Sequence, residues 1–267
     1  MALKHLFLIF VFLGSWVSSA QHIAIMGAMD EEIQLLKDAL NDKKEIQKGG
    51  VTFFEGTLKG QKVVLLKAGI GKVNAAYSTA ILTANFKLDA LIFTGVAGGL
   101  HPDIFPGDIV IAENMVQYDF GKLEAGTFET WPTRNLAKNN GKNPLYLPVD
   151  SILFAQSKKA SKRIHLESLE NRTPQFFMGT IATGDTFVSD AAKAKVLYTD
   201  FNALATEMEG AAVAQICTML DIPYIVIRSC SDNANTQAHS DYFKFAKVAA
   251  VNSSQLVLAL LENYKAP

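Results

Sequence analysis

An α/β fold, with a central and mainly parallel β-sheet flanked by helices, is the architecture that the sequence predicts. Short runs that are apolar on both faces alternate with segments of helical period. That is the pattern of strands buried between two helical layers. Each run ends in small residues, where the chain can turn sharply or approach a ligand closely. The 267 residues are 49% hydrophobic and 19% charged, with 8 Pro and 18 Gly. This suits one large domain and excludes a disordered, collagen-like or disulfide-stapled chain.

The elements follow in order. HIAIM at 22–26 reads as a strand, and Ile33, Leu36 and Leu40 give 30–40 a helical spacing. Residues 51–58 and 62–67 read as two strands meeting at Lys59-Gly60. A helix is expected over 73–86, then strands over 90–94 and 108–112. Residues 120–150 hold Gly121, Gly126, Pro132, Asn139, Asn140, Gly141, Pro144 and Pro148, and read as a long loop. A strand over 176–183, helices over 190–198 and 210–220, a strand over 223–228 and a terminal helix over 242–264 complete the series.

Residues 1–20 stand apart. Lys4 precedes an unbroken apolar run at 6–13, and Ser18-Ser19-Ala20 supplies small residues for cleavage. This is the layout of a secretory signal peptide. The expectation is a signal peptide over 1–20 and a domain over 21–267, exported to the periplasm or secreted and free of the membrane after cleavage. The alternative is an uncleaved anchor, for which the apolar run is short against the roughly 20 residues of a membrane span. Export allows disulfides. Cys217 and Cys230 are the two cysteines and read as buried free thiols rather than a bridge. The five histidines are scattered, with neither HExxH nor CxxC, so no metal site is expected.

With 25 basic and 26 acidic residues the formal charge is −1. No basic excess draws on a phosphate backbone, so nucleic acid is excluded as a partner in favour of a small molecule. In open α/β sheets ligands bind at the carboxyl ends of the strands. Those ends carry Gly27–Glu32, Gly69-Ile70-Gly71-Lys72, Gly95–Gly99, Gly184–Phe187 and Ser229–Asp232. A phosphate loop fails because Leu66 stands where its first Gly belongs and Val73 follows Lys72. The 95–99 cluster lacks the spacing of a dinucleotide site. The acidic residues have structural readings as well. Asp30-Glu31-Glu32 opens a helix, where negative charge suits the helix dipole. Asp232 can cap a turn, and Glu207 and Glu209 can be solvated.

Taken together, GAMDEE (27–32), KAGIGKVNAA (67–76), TGVAGGL (94–100), GDIVIAE (107–113), TGDTFV (183–188), EMEGAAVAQIC (207–217) and PYIVIRSCSDNA (223–234) resemble the 5′-methylthioadenosine/S-adenosylhomocysteine nucleosidases of the purine nucleoside phosphorylase superfamily. The resemblance runs in order from about residue 22 to 262. It implies a single α/β domain with a central mixed sheet, a homodimer, and no metal or organic cofactor. It also implies hydrolysis of an N-glycosidic bond in a small adenine nucleoside.

The resemblance further implies a set of site residues. Asp232 in SDNA matches the acid that protonates the departing adenine at N7. Glu32 matches the carboxylate that activates water, and Glu209 the one that meets the ribose hydroxyls. Arg228 matches an arginine beside the water and its carboxylates. Phe187 resembles the residue stacking on the purine, Val188 offers backbone hydrogen bonds, and Met208 packs under the ribose. Ile70 and Met29 resemble walls of the ribose and alkylthio region. Tyr242 falls near the 5′ end, and Ser231 orients Asp232.

Two departures stand out: the signal peptide, and residues 117–150, which do not align with the family pattern. Two other functions are weighed. A phosphorylase would need several basic groups beside the ribose, whereas these strand ends carry acidic Glu32 near Arg228. A periplasmic nucleoside-binding protein would normally have two lobes and a hinge, and this chain reads as one domain.

Overall fold

The structure is a computed structural model describing residues 22–169 and 172–267. Chain order is β1 (His22–Gly27), α1 (Asp30–Asp38), β2 (Asn41–Lys48), β3 (Val51–Leu58), β4 (Gln61–Lys67), α2 (Lys72–Asn85), β5 (Leu88–Gly99) and β6 (Ile109–Gln117). Four short strands follow: β7 (Gly121–Glu124), β8 (Thr127–Thr130), β9 (Arg134–Asn135) and β10 (Gly141–Lys142). The chain ends with β11 (Tyr146–Pro148), α3 (Ser151–Ser161), β12 (Phe176–Thr183), α4 (Ala191–Phe201), β13 (Ala203–Glu207), α5 (Gly210–Met219), β14 (Tyr224–Asp232) and α6 (Ala238–Leu261).

The sheet's centre shows why both faces of its strands are apolar. Ala24, Met26, Val64, Leu66, Leu91 and Phe93 belong to the core shared with α2 and α5. Their chain neighbours Ile23, Ile25, Val63, Leu65, Ala90 and Ile92 belong to the core shared with α1, α3 and α6. Strand side chains alternate between faces, so each strand feeds two helical layers. Fully burying one such Leu, Ile or Phe is worth roughly 1.5–3 kcal/mol. Cys217 and Cys230 are buried free thiols, as expected.

The sheet is mixed. β4, β1, β5 and β14 run parallel to one another, as do β6, β12 and β13. The two groups meet through the antiparallel pairs β5–β13 and β6–β14. The strands β5, β14, β6, β12 and β13 therefore close a ring. β3 and β2 extend the β4 edge antiparallel, and β11 adds antiparallel to β6. The β5–β13 pairing joins Gly98–Gly99 to Ala205–Thr206 near the carboxyl ends of both strands. The strand ends of both parallel groups thus converge on one spot.

The expected elements lie where the sequence placed them, with extensions. β5 and β6 continue past 94 and 112 to Gly99 and Gln117, and α6 begins at Ala238, a turn before 242. β2, α3 and β13 had no sequence reading. The region read as one loop over 120–150 holds the β7–β8 and β9–β10 hairpins, a 3₁₀ turn at Leu136–Lys138 and β11. No described helix is long and apolar enough to cross a membrane. The proposed signal peptide over 1–20 lies outside the described residues.

Outside the site, Asp108 ties the start of β6 to the segment before β12. It is fully buried. It accepts from Arg172 Nη1 and Nη2 at 2.6 and 2.9 Å, from the Gln175 N–H at 2.6 Å and from the Phe105 N–H at 2.9 Å. Asp108→Ala strands those donors and should cost about 3 kcal/mol. Urea unfolding measures this, and a loss below about 1 kcal/mol would contradict the role.

Candidate active site

α1 begins directly after β1, and its third residue turns back over the turn that precedes it. Glu32 Oε2 accepts from the N–H groups of Ala28 and Met29 at 2.5 and 2.9 Å, and Oε1 accepts from Val96 N–H at 2.8 Å. The carboxylate meets amides left unpaired at a helix start and clasps the end of β5. Asp30 and Glu31 are exposed, and Asp30 pairs with Lys67 at 2.7 Å. Of the three acidic residues in GAMDEE, only Glu32 enters the interior. Burial raises its pKa above the usual carboxylate value, against the pull of Arg228 and the three amides.

Arg228, near the end of β14, is completely buried and lies over the Phe93 ring at 4.1 Å. Its Nη2 donates to Glu207 Oε2 at 2.6 Å and stands 3.7 Å from Glu209 Oε2. Glu207 also accepts from the Glu209 and Gly210 N–H groups at 3.1 and 2.7 Å and, in a short bond, from the Thr183 hydroxyl. Glu209 Oε1 accepts from Gly71 N–H at 2.8 Å. Burial and the neighbouring Glu207 push Glu209 up to about 8, against Arg228. Burial disfavours the charge on Arg228, but Glu207, Glu32 and Glu209 outweigh it and hold the guanidinium cationic.

Gly95 makes this arrangement possible. Its φ is +155°. A Cβ there would overlap Glu32 Oε1 and stand 2.7 Å from Arg228 Nη1. Nη1 has no hydrogen-bond partner among the described residues. The carboxylate and the unused guanidinium edge therefore flank the same stretch of backbone without forming a direct ion pair.

Asp232, the last residue of β14, lies at another part of the same cavity. Its Oδ1 accepts from Ala234 N–H and its Oδ2 from the Ser231 hydroxyl, both at 2.8 Å. Burial lifts its pKa to about 6, and these two donors restrain the rise. A Cβ on Gly98 would stand 2.9 Å from Asp232 Oδ1, so glycine leaves room beside this carboxyl.

These groups line one cavity of about 500 Å³, a size suited to a small organic ligand. Phe187, Met208 and Ile70 supply apolar wall, and no lysine or arginine is among the lining residues. The Tyr242 ring stands edge-on to Phe187 at 6.0 Å, and its hydroxyl donates to Met29 Sδ at 3.1 Å. The described residues hold no cluster of His, Cys, Asp and Glu suited to a metal ion.

Ten of the eleven residues singled out in the sequence line this cavity: Glu32, Asp232, Glu209, Met208, Phe187, Val188, Ser231, Ile70, Met29 and Tyr242. Arg228 lies beneath it, closed off from solvent. Lining residues without a sequence assignment include Thr186, Thr206, Glu207, His239 and Phe243. Glu207 shares EMEG with Glu209, and strand alternation alone does not tell which carboxylate faces Arg228. His239 and Phe243 lie on the same face of α6 as Tyr242. Starting α6 at 242 concealed His239.

A family model described as the phosphorylase superfamily matches residues 22–262. The 5′-methylthioadenosine/S-adenosylhomocysteine nucleosidase of Anoxybacillus flavithermus is 39% identical over 242 residues, covering 88% of this chain and 96% of that protein. The crystal structure of the Colwellia psychrerythraea nucleosidase in complex with adenine is similar at a TM-score of 0.78 and 36% identity, covering 91% and 95% of the two chains. The Neisseria meningitidis nucleosidase in complex with methylthio-immucillin-A gives a TM-score of 0.77 at 32% identity, covering 91% and 100%.

The Asp232 environment can be titrated directly. With ¹³C-labelled aspartate, its carboxyl carbon should titrate near pH 6, where burial places it. Ser231→Ala removes a donor that favours the anion, so the midpoint should rise. A downward shift would show that the hydroxyl stabilises the neutral acid instead.

Proposed function

The chain belongs to the 5′-methylthioadenosine/S-adenosylhomocysteine nucleosidases of the phosphorylase superfamily; from that premise we infer that it hydrolyses the N-glycosidic bond of 5′-methylthioadenosine, S-adenosylhomocysteine or a related adenine nucleoside. The products are adenine and a thio-ribose. The observation that carries this reading is one cavity lined by Glu32, Glu209 and Asp232 and by apolar wall, with no basic cluster. Arg228 is already held by Glu207 at 2.6 Å, so a phosphate dianion would meet carboxylates with little to compensate them. Water suits this site better than phosphate.

In this reading a water oxygen bonds to the anomeric carbon as the carbon–N9 bond breaks. The bonding pair moves into the purine, and Asp232 gives its proton to N7. The water gives a proton to Glu32, and exchange with solvent restores both carboxyls. The raised pKa of Asp232 supports an acid that holds its proton. The raised pKa of Glu32 supports a carboxylate ready to accept one. Glu209 meets the ribose hydroxyls, and Arg228 supports the water from below. Phe187 stacks on the purine and Val188 offers its backbone to the adenine edge. Met208 packs under the ribose, Ile70 and Met29 wall the ribose and alkylthio region, and Tyr242 stands at the 5′ end. Ser231 orients Asp232 through its 2.8 Å bond.

We propose two further properties. The chain works as a homodimer, a reading supported by exposed Ile70, Val73 and Tyr77 just before and within α2 and by exposed Leu123, Phe128 and Trp131 in and just after the β7–β8 hairpin, with the Lys72–Asp119 ion pair tying α2 to the chain just before that hairpin. Residues 1–20 direct export. Sedimentation tests the first, and N-terminal sequencing of fractionated cells tests the second. A monomer at micromolar concentration, or full-length protein in the cytosol, would refute the respective proposal.

Adenine release should be indifferent to phosphate; a rate proportional to phosphate, with ribose 1-phosphate formed, would sink the hydrolytic reading. Asp232→Asn should lower kcat by roughly 10²-fold or more, with KM less affected. It should also abolish the descending alkaline limb of kcat/KM, since the acid works only while protonated. Glu32→Gln should lower kcat too, and the double variant should lose less than the product of the two. Retention of more than about half of wild-type kcat in Asp232→Asn, far from the loss of a general acid, would remove Asp232 from that role.

A further inference from the structure

Among the lining carboxylates Glu207 takes the most donors from the protein itself. Oε2 takes Arg228 Nη2 and the first two amides of the α5 start at 2.6, 3.1 and 2.7 Å, and Oε1 takes the Thr183 hydroxyl. Thr183 is fixed in turn, accepting from the Ala211 N–H at 2.8 Å. A carboxylate at a helix start is favoured by the helix dipole and by free amides. Little of its lone-pair capacity is left for a substrate.

Glu209, two residues on, is arranged otherwise. Oε1 is held by Gly71 N–H at 2.8 Å, while Oε2 stands 3.7 Å from Arg228 Nη2, beyond hydrogen-bond reach. One guanidinium nitrogen thus lies between two carboxylates and is bonded to one of them. The amides of α5 decide which: they fix Glu207, and Glu207 fixes Arg228. If Glu207 lost its charge, the charge-assisted bond would weaken by about half. Arg228 could then close the short gap to Glu209 and occupy the oxygen now open to the cavity.

We propose that Glu207 is a positioning residue for the hydrolysis: it holds Arg228 by Nη2 and so keeps Glu209 Oε2 free to receive the sugar. This rests on the nucleosidase reading, in which Glu209 meets the ribose. The charged groups facing Glu209 are Glu207 on β13, Arg228 on β14 and Glu32 on α1. Removing the negative charge of Glu207 leaves Arg228 and Glu32, and its effect on Glu209 is to lower the pKa.

The test is Glu207→Gln, near-isosteric. With ¹³C-labelled glutamate, the Glu209 midpoint should fall by a unit or more. The variant should bind adenine, which lacks the sugar, within about threefold of wild type. KM for 5′-methylthioadenosine should rise at least tenfold, and the pH at which KM changes should move down with the Glu209 midpoint. Thr183→Val, which removes one anchor of Glu207, should shift all of these in the same direction by less, and serves if Glu207→Gln fails to fold. An unchanged Glu209 midpoint with a KM near wild type overturns the proposal. So does a loss of adenine binding in proportion to the loss of nucleoside, which would mark a structural role only. If wild type releases no adenine from any adenine nucleoside while the NMR shift appears, the nucleosidase reading fails and the Glu207–Arg228–Glu209 coupling stands.

Discussion

A guanidinium without access to water holds this site together. Placing Arg228 in the interior costs several kcal/mol of lost hydration. The offset comes from a hydrogen-bonded ion pair with Glu207 at 2.6 Å, the Phe93 ring at 4.1 Å and the fields of Glu32 and Glu209. Each contribution constrains the chain elsewhere. Glu207 must precede a helix so that amides help to hold it, and Gly210 opens α5 at that point. Position 95 must lack a side chain so that Glu32 and Arg228 can both approach the backbone. Phe93 must face the guanidinium two residues earlier on the same strand.

The irregular end of β5 needs support, and α6 gives it from within a buried helix face. Asn252, Ser253 and Ser254 are polar yet fully buried. Ser253 bonds to the Thr94 hydroxyl and accepts from the Gly95 N–H at 3.1 Å, and Ser254 donates to the Glu32 carbonyl at 3.1 Å. Asn252 accepts from the Glu167 N–H at 2.8 Å. Buried polar groups need partners, and these serines meet backbone groups beside the carboxylate. The same helix carries Tyr242 at its other end and buries Leu256, Val257 and Leu260 against the sheet. One helix therefore links the core to the rim of the cavity.

Much of the fold was legible because its central strands are apolar on both faces, as in 23–26, 63–66 and 90–93. The omissions have physical causes. β2 (NDKKEIQK) is an exposed edge strand, and such edges carry charge that hides the strand while blocking wrong pairing. β13 is only five residues, ALATE, too short to show a period. β5 runs on through Gly95, Gly98 and Gly99, residues that read as a turn yet pair with β13 and β14. The site was legible in its residue types because seven ordered blocks carry it. The division of labour between Glu207 and Glu209 was not. It depends on helix-start amides and on a β14 guanidinium about twenty residues downstream, and neither leaves a mark in local spacing.

The hydrogen-bond partners of Glu32 and Asp232 separate two carboxyls that burial alone treats alike. Burial lifts both above the usual carboxylate value. Glu32 is held by three backbone N–H groups, which donate and cannot accept. Those three donors and the nearby Arg228 favour the anion against burial, and they leave one of the carboxylate's roughly four lone-pair sites open to an arriving proton. Asp232 has one N–H donor and the Ser231 hydroxyl. A hydroxyl that donates to a carboxylate can also turn and accept from the protonated acid. Asp232 can therefore hold a proton without losing a partner, and lose it without losing one either. An acid that must give up a proton in each turnover needs such an adaptable partner. A base that must be empty at the start needs partners that only donate. The asymmetry supports Asp232 as the acid and Glu32 as the base, on grounds independent of where either lies in the sequence.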